Sequence, residues 1–413
     1  MRKAHLLTLV VLAALLVSGA SATLARQGAE ITLMGWSSST EENDALMAQV
    51  DAFMAANPDI TVNVNLVPSF DETIQAAFAS GDPPNVFYVD SSKLPDWADA
   101  GVLASGEGMI ENLDDHYPSL LEAFTYNDTL YCPPKDSSIM ALQYNKAMFD
   151  AAGIAYPDDT WTWDDLRAAA EALTGETADG QKVLGLVTPP NIERWLPFLY
   201  QAGGSVLSED WTEVTLDSDE AREALDFYVG MVVDGFAGPP SMVDAGWGGE
   251  AFAQGRVAMA MEGNWVISYL REQFPDLEWG NAVLPMHPDG GRASMVFTVC
   301  YGVAADNDNP DESWQLVNFL TGPDGSAMVA QEGFGVIPPA MSAAETWLEA
   351  IGPEIGQAFL DGAEYAHKWQ FPVGFQEVFD TFNADLQLAF DEQVLVEDVI
   401  INAAGVAEEV LAR

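Results

Sequence analysis

Residues 31–36 read Ile-Thr-Leu-Met-Gly-Trp, residues 61–67 Thr-Val-Asn-Val-Asn-Leu-Val, and residues 86–89 Val-Phe-Tyr-Val. The first is a short apolar strand. The second alternates Val62, Val64 and Leu66 with Asn63 and Asn65, the period of a half-buried strand. The third is apolar throughout and reads as a fully buried strand. Helices fill the gaps. Glu41 to Ala56 sets Leu46, Val50, Phe53 and Met54 on one face, behind a polar turn at Ser37–Thr40 that can cap it. Asn57-Pro58-Asp59 stops that helix. Phe70 to Ala79 repeats the pattern with Ile74, Ala77 and Phe78, and Gly81-Asp82-Pro83-Pro84 turns the chain into the third strand. A further helix reaches Gly101. The order β-α-β-α-β predicts a parallel sheet with helices on both faces. Ligands of such sheets sit beyond the carboxyl ends of the strands, and Trp36, Ser37, Asp90 and Ser91 occupy those ends.

The alternation continues. Ile139–Tyr144 and Val183–Val187 read as strands, and Thr162 and Asp165 bracket a helix start in the manner of a capping box. Glu193–Ala202, Ala221–Val233 and Glu250–Gln254 read as helices. Val257–Met261 is a buried strand running into Glu262-Gly263-Asn264-Trp265, and Met295–Ala304 reads as one strand. Asp311–Leu320 and most of the tail from Ile355 onward are helical. No internal repeat appears. The length of 413 residues suits two packed lobes.

The first 25 residues follow the plan of a secretory signal peptide: Arg2 and Lys3, then an apolar Leu6–Val17, then small residues at Ala20-Ser21-Ala22. The apolar run is shorter than the roughly 20 residues of a membrane span. No cysteine follows it to take a lipid, so an exported, soluble chain is expected. Asp and Glu total 64 against 15 Lys and Arg, a formal net charge of −49. That charge repels phosphate backbones and anionic lipid heads, which excludes nucleic-acid and membrane-surface binding. Export to an oxidising compartment permits disulfides. Cys132 and Cys300 could be bonded or could be two buried thiols; their spacing does not choose.

Phosphate-cradling glycine loops and a Gly-x-Ser-x-Gly elbow are absent. His116, His287 and His367 sit in ordinary polar contexts, none paired at metal-ligand spacing, so no metal or cofactor is expected. What stands out is tryptophan beside carboxylates, amides and arginine: Trp36 after a strand, Arg194-Trp195 opening a helix, Trp247 in a glycine-rich loop, Trp265 after Glu262-Gly263-Asn264, and Trp369 with Phe371 in the tail. A sugar offers C–H faces to an aromatic plane and hydroxyls to polar groups. Trp161, Trp163 and Trp314 read as packing residues.

With these stretches in order, the chain resembles the maltose-binding-protein-like family, the extracytoplasmic sugar-binding proteins of ABC importers. The resemblance runs over roughly 30–410. It is carried by Ala56-Asn57-Pro58-Asp59-Ile60, Ala79-Ser80-Gly81-Asp82-Pro83-Pro84-Asn85-Val86, Tyr144-Asn145-Lys146, Trp161-Thr162-Trp163-Asp164-Asp165-Leu166, Ala251-Phe252-Ala253-Gln254-Gly255-Arg256-Val257-Ala258-Met259, Glu262-Gly263-Asn264-Trp265 and Phe319-Leu320-Thr321-Gly322. It implies an α/β fold of two lobes joined by crossing strands, with the ligand in the cleft. Lobe one would be residues 27–136 plus 292–336, and lobe two 137–291 plus 337–413. The ligand-facing positions it implies are Trp36, Glu41, Asp71, Asp90, Ser91, Asp136, Arg194, Trp195, Trp247, Trp265 and Phe371.

The function so implied is that of a monomeric binding protein. It would capture a neutral di- or oligosaccharide, close, and deliver it to an ABC permease. A secreted glycoside hydrolase using two of the many carboxylates shares the acidic, aromatic site. The same fold could also hold a polyol or a glycerol phosphate, the latter wanting a basic cleft.

Overall fold

The computed structural model describes residues 28–177, 180–333 and 335–413, and the signal-peptide segment lies outside them. Strands β1 (Ala29–Trp36), β2 (Ile60–Val67) and β3 (Val86–Asp90) alternate with helices α1 (Thr40–Ala56) and α2 (Phe70–Ser80). β1 pairs in parallel with both β2 and β3, as the apolar periodicity requires. Ser39 Oγ accepts the Glu42 N–H at 3.2 Å and starts α1. Asn57 Nδ2 donates to the Phe53 carbonyl at 2.9 Å and closes it. Gly81, at φ 73, ends α2 in the left-handed region where a Cβ would be strained.

The second half builds a larger mixed sheet. Its elements include β4 (Ser138–Asn145), β5 (Lys182–Val187), α3 (Ile192–Gln201), β6 (Val257–Gly263), α4 (Val266–Gln273) and β7 (Trp279–Ala282). The chain then runs through β8 (Ser294–Phe297), β9 (Val299–Val303), β10 (Ala366–Lys368) and α5 (Gln376–Phe390). The first sheet has the order β9-β3-β1-β2, and the larger sheet contains β10-β8-β4-β6-β5. Along β4, Met140 and Leu142 join one apolar cluster while Ile139 and Ala141 join another, so both faces of this sheet are covered. A separate cluster around Phe53 and Phe87 fills the first lobe.

Residues 295–304 do not form the single strand expected. They form two strands in two sheets: β8 pairs with β4, and β9 lies antiparallel to β3. Thr298 is the crossing point. Its Oγ1 donates to the Asp136 carbonyl at 2.6 Å, and Lys135 N–H donates to the Val299 carbonyl at 2.6 Å. β8 is thus hydrogen-bonded into the larger sheet and β9 into the first. Ser137 bridges Ile337 at the same crossing. Beside it, Cys132 and Cys300 are bonded, with Cα atoms 5.8 Å apart, and both side chains are buried.

Candidate ligand-binding site

Between the lobes lies a cavity of about 560 Å³, within the range of small-molecule sites. The carboxyl ends of β1 and β3 supply one wall. Trp36 stands there edge-on to Tyr88 and Phe70, with ring centroids 5.0 and 5.5 Å away. Asp71, in the first turn of α2, lies alongside. Asp90 closes β3, and its Oδ1 accepts the Ser92 N–H at 2.9 Å and the Ser92 hydroxyl at 2.6 Å. Burial pushes the Asp90 carboxyl above the usual aspartate range despite those hydrogen bonds.

The facing wall comes from α3, α5 and the segment after β10. It offers Glu193, Trp369, Gln376, Phe379 and Asn383. Trp369 is stacked on Phe379 at 4.8 Å, which fixes the plane it presents. Asn383 Oδ1 accepts the Ile192 N–H at 2.7 Å, an orphan donor of the α3 N-terminus, and its amide nitrogen has no protein partner among the described residues. The lobes touch across the mouth. Lys93 Nζ donates to Gln376 Oε1 at 3.1 Å, Gly374 N–H to Asp96 Oδ1 at 2.9 Å, and Glu41 N–H to Glu272 Oε1 at 3.3 Å.

At the crossing strands, Lys135 Nζ lies 2.8 Å from Glu42 and 2.5 Å from Asp136, and 5.2 Å from the Tyr88 ring. Burial alone would raise Glu42, but Lys135 outweighs it and holds that carboxyl below its usual range. Asp136 is pushed up by burial, and Glu42 adds to the shift. On the other side, Arg194 Nη2 meets Glu262 at 2.8 Å, with the Glu262 side chain 2% exposed. The guanidinium lies 5.4 Å from the Trp265 ring and 6.0 Å from Phe297. Phe297 in turn is 6.0 Å from Trp369. This paired layer stands behind Trp369 rather than in the cavity wall.

The sequence-derived positions therefore scatter. Trp36, Asp71 and Asp90 come together in the cavity wall. Asp136, Arg194 and Trp265 lie in the charged and aromatic layers beside it. Trp195 does not face the cleft: it is fully buried and stacked on Phe382 at 4.7 Å. Neighbours on a helix diverge by about 100°, so Arg194 reaching Glu262 sends Trp195 into the core. Glu41 is exposed, and it is Glu42, one residue on, that turns inward to Lys135. Ser91 is buried and donates to the Trp369 carbonyl at 2.7 Å, holding that segment in place. Trp247 packs edge-on against Tyr269 at 5.1 Å, away from the cavity. Phe371 is buried against Phe375 and lines a different cavity.

Glu193, Gln376 and Asn383 carried no signal in the sequence, since isolated polar residues on helices resemble solvated surface. Trp369 did carry one: it is a tryptophan beside a proline-interrupted stretch. Among the described residues no His, Cys, Asp and Glu group is placed to hold a metal, and no helix is long and apolar enough to cross a membrane.

The comparisons with known proteins agree with this architecture. Residues 48–354 match the model of a bacterial extracellular solute-binding protein family. A putative binding protein of Brucella abortus is 26% identical over 376 residues, covering 88% of each chain. A multiple sugar-binding protein of Streptococcus mutans is 21% identical over 348 residues, covering 78% of each. Among solved structures, an ABC substrate-binding protein from Listeria monocytogenes in complex with cycloalternan superposes with a TM-score of 0.84 at 25% identity, over 93% of this chain and 99% of that one. The chain thus belongs to the bacterial extracellular solute-binding protein family, whose members are non-enzymatic transport receptors, and it has the two-lobed periplasmic-binding-protein fold of the maltose-binding-protein-like receptors.

Proposed function

We propose that this protein captures a neutral sugar, a di- or oligosaccharide, between its lobes and passes it to the membrane permease of an ABC importer. One observation carries the reading. The cavity sets two tryptophan planes, Trp36 and Trp369, among the side chains of Asp71, Asp90, Glu193, Gln376 and Asn383, drawn from both lobes. Aromatic planes suit the C–H faces of a pyranose, and carboxylates and amides suit its hydroxyls, each of which must find a partner once buried. A ligand touching both walls binds the closed state better than the open one, and this differential affinity drives closure. The sugars held by the Listeria protein and named for the Streptococcus relative support the class. A glycerol phosphate fits less well: Lys93, the cation in the wall, is bonded to Gln376 and stands among three carboxylates. Residues 1–25 would direct export, and the protein would act as a monomer, with residues 28–136 and 298–336 as one lobe.

Isothermal titration against neutral mono-, di- and trisaccharides, with product analysis of the same mixtures, tests the reading. Saturable binding without turnover is expected, weakened at least about tenfold in Trp36→Ala and in Trp369→Ala. Absence of binding to every sugar, or release of shorter products, would overturn it.

A further inference from the structure

A second cavity, of about 910 Å³, lies on the far side of the 369–371 segment. Trp369 faces the cleft, whereas Lys368, Gln370 and Phe371 face this other space. The segment separating the two is tied down at both faces. Ser91 holds its Trp369 carbonyl, and Gln370 Nε2 donates to the Ala123 carbonyl at 3.1 Å. The two cavities are separate sites.

The second cavity has the composition of a saccharide site. His367 lies flat on Tyr200, with centroids 4.0 Å apart and an interplanar angle of 8°, so each ring covers one face of the other and the pair borders the cavity as one aromatic stack. Trp211 supplies another ring, with Lys368 Nζ over it at 5.9 Å from the centroid, and Tyr126 enters from the 125–130 hairpin. Trp211 is held at φ 58, a conformation bulky residues avoid. The turn that imposes it is closed by Thr212, whose N–H and hydroxyl both donate to Asp210 Oδ1, at 3.2 and 2.7 Å. Strain of this kind persists only where surrounding structure enforces it. The Tyr200 hydroxyl, the Trp211 indole N–H and Gln370 Oε1 have no protein partner among the described residues, though all three residues border the cavity. The one cation of the wall, Lys368, is already paired with Glu122 at 2.8 Å. An anionic ligand would meet Glu122, Asp128, Glu209 and Asp210 and be repelled. We infer that this cavity, which also draws its walls from both lobes, is a second binding site, for a neutral saccharide unit, distinct from the cleft at Trp36 and Trp369.

The test uses the full chain labelled with 5-fluorotryptophan and followed by ¹⁹F NMR. The Trp211 signal is identified by its loss in Trp211→Phe. Glucose, galactose, mannose, maltose and maltotriose are titrated to tens of millimolar, in the unaltered chain and in Trp369→Ala. The inference expects the Trp211 signal to move saturably with at least one sugar in both proteins, with a midpoint distinct from that of Trp36. His367→Ala, at an exposed position, should weaken that midpoint about tenfold while leaving the Trp36 response unchanged. If no sugar moves the Trp211 signal, the inference is wrong. It is equally wrong if Trp211 moves only in step with Trp36 and falls silent in Trp369→Ala, because the signal then reports lobe closure. Failure of the cleft assignment would instead silence Trp36 while Trp211 still responds.

Discussion

The Cys132–Cys300 bond spans 168 positions, and almost the whole larger sheet lies inside that loop. Its removal by Cys132→Ala with Cys300→Ala is therefore informative about how the lobes unfold. If the entire chain unfolds as one unit, the crosslink closes a loop of the full separation. The chain-entropy relation then assigns it about 5 kcal/mol of stability. If the larger lobe stays folded while the first lobe melts, Ser138 and Phe297 are already held together by their pairing in β4 and β8. The effective loop then shrinks to about 10 residues, and the same relation gives only about 2.5 kcal/mol. The crossing at Thr298, shared by hydrogen bonds from both lobes, favours one cooperative transition. The expected result in urea at pH 7 is a single transition whose free energy falls by about 5 kcal/mol in the double variant. Fluorescence and circular dichroism should give coincident curves. Since both sulfurs are buried, unaltered protein treated with a reductant should lose the bond only as it unfolds. Two separated transitions, with a loss near 2.5 kcal/mol confined to one of them, would refute the long-loop reasoning.

Other outcomes follow from the buried groups. Glu262→Gln leaves Arg194 buried beside a neutral amide and should cost about 3–5 kcal/mol in a urea titration; a loss under about 1 kcal/mol would mean that water reaches the guanidinium. Trp195→Ala should lower stability by about 3–5 kcal/mol while sugar affinity of the folded protein stays unchanged, since the ring packs on Phe382 and not on a ligand. A matched loss of affinity would return Trp195 to the site. The raised carboxyl of Asp90 binds its proton more tightly when folded, so its contribution is greatest below the unfolded aspartate pKa and is lost as pH rises through the folded value. Asp90→Asn should therefore raise the urea midpoint at pH 7 and gain progressively less toward pH 4, and a pH-independent difference would contradict this sign. With a net charge of −49, self-repulsion should be relieved by salt, so the melting temperature should rise between low and molar NaCl. A flat or falling curve would show that the acidic surface does not oppose folding.

Local order was legible in the sequence because it depends on near neighbours. The alternation of Val62, Val64 and Leu66, the helical face of Leu46, Val50 and Phe53, the Gly81 stop and the Thr162–Asp165 capping box each depend on a few adjacent residues, and each is present. The acidic composition argued against nucleic acid and anionic membrane without any coordinates. The ends of β1 and β3 could be named in advance, and Trp36, Asp71 and Asp90 lie in the cleft wall. Tertiary structure decided what depends on distant chain. It split 295–304 between two sheets at Thr298, because hydrogen bonding to β4 and β3, not local propensity, sets where a strand belongs. It joined Cys132 to Cys300 across 168 positions. It sent Trp195 inward and Glu42 in place of Glu41, since a helix turns successive side chains about 100° apart and only packing fixes its rotation. It also divided Trp369 from Phe371, one facing the cleft and the other the second cavity, because the path of that segment is held by Ser91 and Gln370 reaching across from other elements.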